Sequence, residues 1–304
     1  MDWSKLIQTI VTGLSDGGIY AVLALALVLI HRATGVINFA QGEMAMFSTY
    51  IAWWLISDPE GWELSFWLGF AITLAISFVG GTLIYGGIVR PLAKAGQIAI
   101  VIGTIALLII LNGAAAWIWT AEPQYLKPPI RRAFDAVTIG DVAIARQTLL
   151  VIGVSVVCVV LVYLIFRFTR TGLMMRAAAV RPDTSRLLGI RVVVMLALGW
   201  GLAAALGAVA GLMAVVSAPP LDPNYMLIII VYAFAAAVLG GLDSPAGAVL
   251  GAYILGVGIA LLQTYVDFVS ESQEFKLPIA LGVLLLVLLV KPAGLFGRTV
   301  TRRV

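Results

Sequence analysis

Apolar runs dominate the pattern of hydrophobic and polar positions, and each run is long enough to form a helix. Short polar segments separate them, and they cover residues 6–30, 36–57, 64–89, 98–119, 148–166, 192–217, 225–241, 246–266 and 277–290. These runs are far longer than the roughly 10-residue strands of a membrane barrel, and they lack strict alternation. The pattern predicts an all-α polytopic membrane protein, a single domain over residues 1–304 with about eight to nine transmembrane helices, one or two of them broken or re-entrant.

The composition agrees with this class of protein. Of the 304 residues, 62% are hydrophobic and only 11% are charged, whereas a soluble domain carries about 25% charged residues. So few polar residues cannot cover a folded surface, and the outer surface must therefore face lipid. The single histidine, His31, excludes a multi-histidine metal site, and the single cysteine, Cys158, excludes an internal disulfide. We therefore expect no metal and no cofactor.

The distribution of positive charge predicts the orientation. Together with Arg32, the segments 90–97, 167–191 and 291–304 hold thirteen of the 19 lysines and arginines. The positive-inside rule places these segments in the cytoplasm. The N-terminus then lies outside if all the runs span the membrane, and inside if one run dips in without crossing. Because the cations lie at membrane ends, they give no indication of a nucleic-acid partner.

The other long connection, 120–147, is expected on the extracytoplasmic side. Within it, the stretch VTIGDVAIA predicts a small hairpin around Gly140–Asp141. The connection is either a simple connector or a docking or gating element, and the sequence leaves both interpretations open.

Two apolar stretches are interrupted by polar residues and by glycine or proline. In GVINFAQGEMAM, glycines flank Asn38, Gln41 and Glu43, and in the stretch 239–251 glycines and a proline surround Asp243. One such segment in each half of a chain points to a transport pathway built from discontinuous helices. Asp243 fits equally as a cap in a tight turn before the next helix.

Helical geometry separates the three polar residues of the first stretch. Asn38 and Gln41 share a face, whereas Glu43 points about 160° away from Gln41. All three line one cavity only if the helix breaks near Ala40–Gly42. Otherwise Glu43 needs a partner such as Arg32 or backbone donors. A carboxylate at membrane depth is a candidate for function, so a mechanistic and a structural role both remain open.

Small residues at four-residue spacing predict close packing between helices, because helices in lipid associate through van der Waals contact. The positions in the second half are Gly199, Ala203, Gly207, Gly211, Gly247 and Gly251.

The segment MRAAAVRPDTSRLLGI (175–190) predicts one or two short cytoplasmic helices, with Pro182 in a first helical turn. Such a helical, cation-rich loop binds either a cytosolic partner or lipid head groups. The chain contains no G-x-x-x-x-G-K-[ST], H-E-x-x-H or G-x-S-x-G motif. We therefore predict a non-catalytic protein without an ATP site of its own.

Three stretches together resemble a known family. INFAQGEMAM (37–46), TRTGLMMRAAAVRPDTSRLLGI (169–190) and AFAAAVLGGLDSPAGAVLGAYILG (233–256) are similar, in this order and spacing, to the permease subunits of bacterial ABC importers for branched-chain amino acids. The match is to the shorter of the two permease types and covers essentially the whole chain. The resemblance implies a multi-pass permease in the bacterial inner membrane. Related importers of urea, short amides or aromatic acids remain open, as does, from another class, an ion-coupled secondary transporter.

The resemblance also implies partners: a second permease subunit, two cytosolic ATPase subunits, and an extracytoplasmic binding protein that carries most of the substrate specificity. It assigns coupling to the ATPases to Arg176, Ala177, Leu188, Gly189 and Ile190. The family usually has histidine at the position of Gln41, so a role for Gln41 is polar or structural rather than protonic. Arg181 and Pro182 also depart from the pattern and indicate a partner-specific coupling surface.

Overall fold

The structure, a computed structural model, describes residues 3–119, 121–130, 136–266, 275–291 and 293–297. Most of these residues are helical, which confirms the predicted all-α polytopic class. In chain order the helices are α1 (Trp3–Thr34), α2 (Gln41–Ile56), α3 (Phe66–Ile84), α4 (Arg90–Ala93), α5 (Gln97–Ile118), α6 (Arg146–Phe168), α7 (Arg170–Val180), α8 (Pro182–Leu187), α9 (Val192–Ser217), α10 (Tyr225–Gly240), α11 (Pro245–Tyr265) and α12 (Lys276–Val290). A π-helical turn (Tyr85–Val89) joins α3 to α4 without a break.

Six of the described helices are long and apolar enough to cross a membrane: α1, α3 with its continuation, α5, α6, α9 and α11. Helices α10 and α12 are shorter apolar helices. Helix α2 has 16 residues, which is about 24 Å and less than the roughly 30 Å of a bilayer core. The chain is therefore a multi-pass membrane protein that combines long helices with short ones.

Helix α1 forms the centre of the bundle and packs against α11, α9, α6 and α10. Every residue from Gly17 to Ile30 is buried. Helix α11 approaches closely because both helices carry glycine at the contact. A Cβ atom on Gly256 would lie 2.6 Å from both the Cα of Gly17 and the carbonyl oxygen of Gly13. Contact of this kind holds helices together where no water is released.

The predicted hairpin around Gly140–Asp141 is confirmed. Strand β1 (Ala136–Ile139) pairs antiparallel with β2 (Val142–Ala145), with Ala136 opposite Ala145 and Ile139 opposite Val142. Gly140 adopts a φ of +61° in the two-residue turn, a conformation that favours glycine. The hairpin leads directly into α6.

The stretch 239–251 contains the turn between α10 and α11, which is the second of the two interpretations given above, and not a break within one helix. A new helix begins because Pro245 fits a first turn and Ser244 caps it, its Oγ accepting a hydrogen bond from the Gly247 N–H at 3.1 Å. Asp243 is exposed in the turn and is not the cap.

At one end of the bundle, the connections that follow α2, α5 and α9 meet. The Lys127 N–H donates to the Ser57 Oγ at 2.7 Å, and Gln124 and Leu221 exchange two backbone hydrogen bonds of 2.8 Å. These bonds hold the loops over the C-terminal end of α2 and the N-terminal end of α10.

At the opposite end, the segment after α12 caps α10. The N–H groups of Leu295 and Phe296 donate to the carbonyl oxygens of Leu239 and Gly240 at 2.8 and 3.1 Å. Two of the last carbonyls of α10 are thereby satisfied by residues distant in the sequence.

Candidate functional site

Between α1 and α2 the chain leaves the helical path over residues 35–40. Gly35 ends α1 in a left-handed conformation with a φ of +73°. Asn38 then shapes the start of α2, because its Oδ1 accepts a hydrogen bond from the Ala40 N–H at 3.1 Å. The sequence suggests a break near Ala40–Gly42. In the structure the break begins earlier, at Gly35, because Gly35 supplies the required backbone conformation.

Asn38 and Gln41 form a buried pair directed at α9. The Nδ2 of Asn38 donates to the Oε1 of Gln41 at 3.2 Å, and the Nε2 of Gln41 donates to the carbonyl oxygen of Ala203 at 3.0 Å. Their exposed fractions are 1% and 0%. Gly207 makes room for the amide, because a Cβ there would lie 2.8 Å from the Nε2 of Gln41. The oxygen and the nitrogen of the Gln41 side-chain amide therefore both have a hydrogen-bond partner.

Glu43 is also buried, but it faces different helices. Its carboxylate accepts a hydrogen bond from the Asn112 Nδ2 on α5 at 3.3 Å, and the same amide donates to the Pro223 carbonyl oxygen at 2.9 Å. The predicted partner Arg32 instead lines a cavity beside α7. The early break does not bring the three polar residues together. Asn38 and Gln41 bond toward α9, and Glu43 bonds toward α5 and the start of α10.

Further polar contacts follow α2 toward its C-terminal end. The Tyr225 OH on α10 donates to the Thr49 Oγ1 at 2.7 Å, and Thr49 donates to the Ala45 carbonyl oxygen at 2.9 Å. On another side of α2, the Ser77 hydroxyl of α3 donates to the Ser48 Oγ at 2.8 Å. Helix α2 is therefore bonded to α3, α5, α9 and α10 through polar side chains.

The polar cluster reaches the lateral surface at Asn112. On α5 this residue continues, at helical spacing, the exposed row of Ile98, Ile102, Ile105 and Ile109. It is half-buried, and the neighbouring Asn224 is exposed, with its Oδ1 3.5 Å from the Asn112 Nδ2. Asn112 lies about 22 Å along α5 from its first residue. A polar spot here interrupts an otherwise apolar face.

The predicted coupling residues separate into an inward and an outward group. Arg176 on α7 turns inward, and its buried Nε has no hydrogen-bond partner among the described residues. Ile190 packs against the small apolar cluster around Met175. Leu188 is 75% exposed, next to Leu187 at 89%.

The remaining coupling residues occupy intermediate positions. Ala177 is half-buried on α7, and Gly189 adopts a φ of +78° in the turn after α8. Pro182 starts α8 as predicted, so the segment forms two short helices.

The small residues predicted to pack helices lie at three different contacts. Gly207 and Gly211 face α2, where Gly211 meets Thr49, and Gly247 and Gly251 face α10. The carbonyl of Ala203 accepts the bond from the Gln41 amide. A Cβ on Gly199 would meet only the methyl group of Met175 at 3.7 Å, which is an ordinary contact.

Sequence reasoning missed Asn112, Asn224 and Tyr225. A usable signal existed for Asn112, which is the only amide side chain in the apolar run 98–119. Asn224 and Tyr225 gave no such signal, because they lie at a loop–helix junction where polar residues are ordinary.

Comparisons with known proteins cover nearly the whole chain. The family model described as the permease component of branched-chain amino acid transport systems matches residues 9–288. The high-affinity branched-chain amino acid transport system permease protein BraD of Pseudomonas aeruginosa is 29% identical over 98% of this chain and 98% of that protein.

Two proteins named LivH show similar relationships. The high-affinity branched-chain amino acid transport system permease protein of Escherichia coli K12 is 29% identical over 98% of this chain and 97% of its own length. The branched-chain amino acid transport permease protein of Methanocaldococcus jannaschii is 27% identical over 91% and 88%. With a family model that matches far more than half of its length, the chain belongs to the family of permease components of branched-chain amino acid transport systems.

Proposed function

We propose that this chain is the membrane-spanning permease subunit of an ATP-driven importer for branched-chain amino acids, situated in a bacterial inner membrane. The observation that carries the proposal is the family match over residues 9–288. The chain passes substrate from an extracytoplasmic binding protein to the cytoplasm and catalyses no reaction. Membership in the family does not favour an ion-coupled secondary transporter.

In this proposal nine helices traverse the membrane: α1, α2, α3, α5, α6, α9, α10, α11 and α12. The N-terminus then lies outside, and the segment 167–191 lies in the cytoplasm. The loops 57–65 and 120–147 are then extracytoplasmic. The short helices α2 and α10 pack against several neighbours, α2 against α3, α5, α9 and α10, and α10 against α1, α2, α11 and α12, which allows their ends to lie inside the bundle. The lysines and arginines of 90–97, 167–191 and 291–304 support this orientation.

The translocation pathway runs along the face where Asn112 and Asn224 interrupt the apolar surface. Glu43 is the buried anchor of this polar spot, and Asn112 holds its carboxylate and the Pro223 carbonyl together. A polar spot at membrane depth is costly against lipid and is retained where a solvated path or a partner subunit covers it. A second permease subunit of the same or a related type covers this face. Asn38 and Gln41, which are bonded internally, hold the helix break.

Coupling to two cytosolic ATPase subunits involves the outward group of the segment 176–190. Leu187 and Leu188 are exposed apolar side chains on the turn of α8, which suits a groove of a partner protein. Movement of α8 passes to α7 and from there to α6 and α9, against which α7 packs.

The test is ATP-dependent uptake of labelled leucine into proteoliposomes that contain the chain with its second permease, ATPases and binding protein. Replacing both Leu187 and Leu188 by alanine should lower uptake about 10-fold, which equals about 1.4 kcal/mol of coupling. The control is the double alanine variant of Leu285 and Leu286, an exposed leucine pair on α12 (60% and 61% exposed). Uptake without the ATPases, or equal uptake by both double variants, would contradict the proposal.

A second variant addresses the pathway. Asn112→Leu leaves the Glu43 carboxylate without its donor and should reduce uptake strongly, while Ile109→Leu on the same exposed row should not. Equal uptake by the two variants, with equal amounts of folded transporter, would place the pathway elsewhere.

A further inference from the structure

A small cavity lies where the C-terminal turn of α1 meets α6, α7 and α9. Its volume is about 30 Å³, enough for one or two water-sized groups. Apolar side chains form most of its wall, and two arginines complete it. The lining residues that matter here are Leu29, Arg32, Phe166, Met175, Arg176 and Met195.

The two arginines carry unbalanced charge. Neither Arg32 nor Arg176 makes a hydrogen bond or ion pair within the described residues, and the Nε of Arg176 is buried without a partner. Among the residues that the structure describes, no acidic side chain lines the cavity. Two guanidinium groups beside one cavity repel each other, and a buried donor without an acceptor costs about 1–3 kcal/mol. An anion between them would relieve both effects.

The surroundings indicate which anion. The cavity lies beside the junction of α6 and α7, where Phe168 (72% exposed) and Leu173 (59% exposed) alternate with the exposed Arg167 and Arg170. Apolar and basic side chains mixed at the end of a membrane helix are typical of the head-group layer. Basic pockets between helices on the cytoplasmic side suit anionic lipid head groups, and guanidinium groups suit phosphate oxygens.

We propose that the Arg32–Arg176 cavity admits one or two phosphate oxygens of an anionic phospholipid, whose head group thereby ties the coupling helix α7 to α1. The inference goes beyond the proposed transport function, because it concerns the lipid and not the substrate. The cavity opens between helices, whereas the ATPase is proposed to engage the outward leucines of α8. The exposed apolar side chains around it suit acyl chains and offer nothing to free phosphate.

The experiment uses the full chain in nanodiscs and follows its thermal unfolding midpoint. Adding phosphatidylglycerol to phosphatidylcholine discs should raise the midpoint by about 2–4 °C. Arg176→Gln and Arg32→Gln should each lose this rise. The matched control is Arg181→Gln, which removes the same charge from an exposed position after α7 and should retain it.

Two results would overturn the proposal: persistence of the rise in Arg176→Gln, or the same rise from inorganic phosphate alone in phosphatidylcholine discs. If the rise persists in Arg176→Gln and that variant also weakens binding of the ATPase, the cavity belongs to an acidic group of that partner instead.

A wild-type measurement keeps the test decisive if the variants do not fold. Photoreactive phosphatidylglycerol should label residues of α1, α7 and α9 around the cavity, as mapped by mass spectrometry. Labels confined to other helices would exclude the site.

Discussion

Helices α1 and α6 are both long and apolar, but they occupy opposite environments. Helix α6 is the more hydrophobic of the two, yet only 17% of its most apolar 18-residue stretch is buried, against 89% for α1. In a membrane protein, a strongly hydrophobic helix is suited to lipid, whereas the interior is built from small residues and paired polar groups. The comparison shows that the more hydrophobic of two apolar helices is not the one at the centre of this bundle.

The largest effect is expected where α11 meets α1. Gly256→Leu places a side chain into the backbone of Gly13 and Gly17 and should prevent accumulation of folded protein, because overpacking at a backbone contact cannot relax. Gly258→Leu on the same helix is the control, since nothing lies within 4 Å of its Cβ position. Fluorescence-detected size-exclusion chromatography measures the folded fraction. A monodisperse Gly256→Leu protein would show that the close approach is not required.

The next effect separates the two helices directly. Leu23→Ala in the centre of α1, where Leu23 is 0% exposed, should lower the free energy of unfolding by about 2–5 kcal/mol through the cavity it leaves. Leu161→Ala on α6, where Leu161 is 52% exposed, should change it by less than about 0.5 kcal/mol. Denaturant titration in micelles compares the two variants. Similar losses would mean that α6 is covered as tightly as α1.

A smaller effect is expected at the buried amide pair. Gln41→Leu removes the donor to the Ala203 carbonyl and the acceptor for Asn38, and should cost about 1–3 kcal/mol of unfolding free energy. Gln41→His retains one donor and one acceptor in the neutral ring and should recover part of this stability. The exposed Gln97→Leu serves as the control. A fully stable Gln41→Leu protein would show that the pair does not hold the helix break.

The smallest effect concerns the link between α10 and α2. Tyr225→Phe removes only the hydroxyl that donates to Thr49, and should lower the free energy of unfolding by about 0.5–1.5 kcal/mol. Tyr163→Phe, at an exposed position of α6 (59% exposed), should have no measurable effect. A loss at Tyr163 equal to that at Tyr225 would remove the distinction between interior and periphery.

Structural features that depend on residues close together in the chain could be predicted from the sequence. The run 192–217 coincides with α9, Pro182 starts α8, and the glycine at 140 forms the hairpin turn. These features follow from periodicity and backbone preference, which are local properties.

Structural features that depend on contacts between residues far apart in the chain could not be predicted from the sequence. Asn112 bonds to Glu43 only because α5 and α2 lie side by side, and the sequence offered Arg32 as an equally reasonable partner. The sequence suggests a helix break near Ala40–Gly42, too far along the chain, because glycine at either position 35 or position 42 is compatible with a break. In the structure Gly42 lies inside α2 and faces Ile230, whereas Gly35 adopts the left-handed φ of +73° that ends α1.

The cap that the backbone of Leu295 and Phe296 forms on the end of α10 has a consequence for how the protein is made. The last carbonyls of α10 find donors in a segment that is synthesised after α11 and α12, so α10 cannot complete its hydrogen bonding when it first enters the membrane.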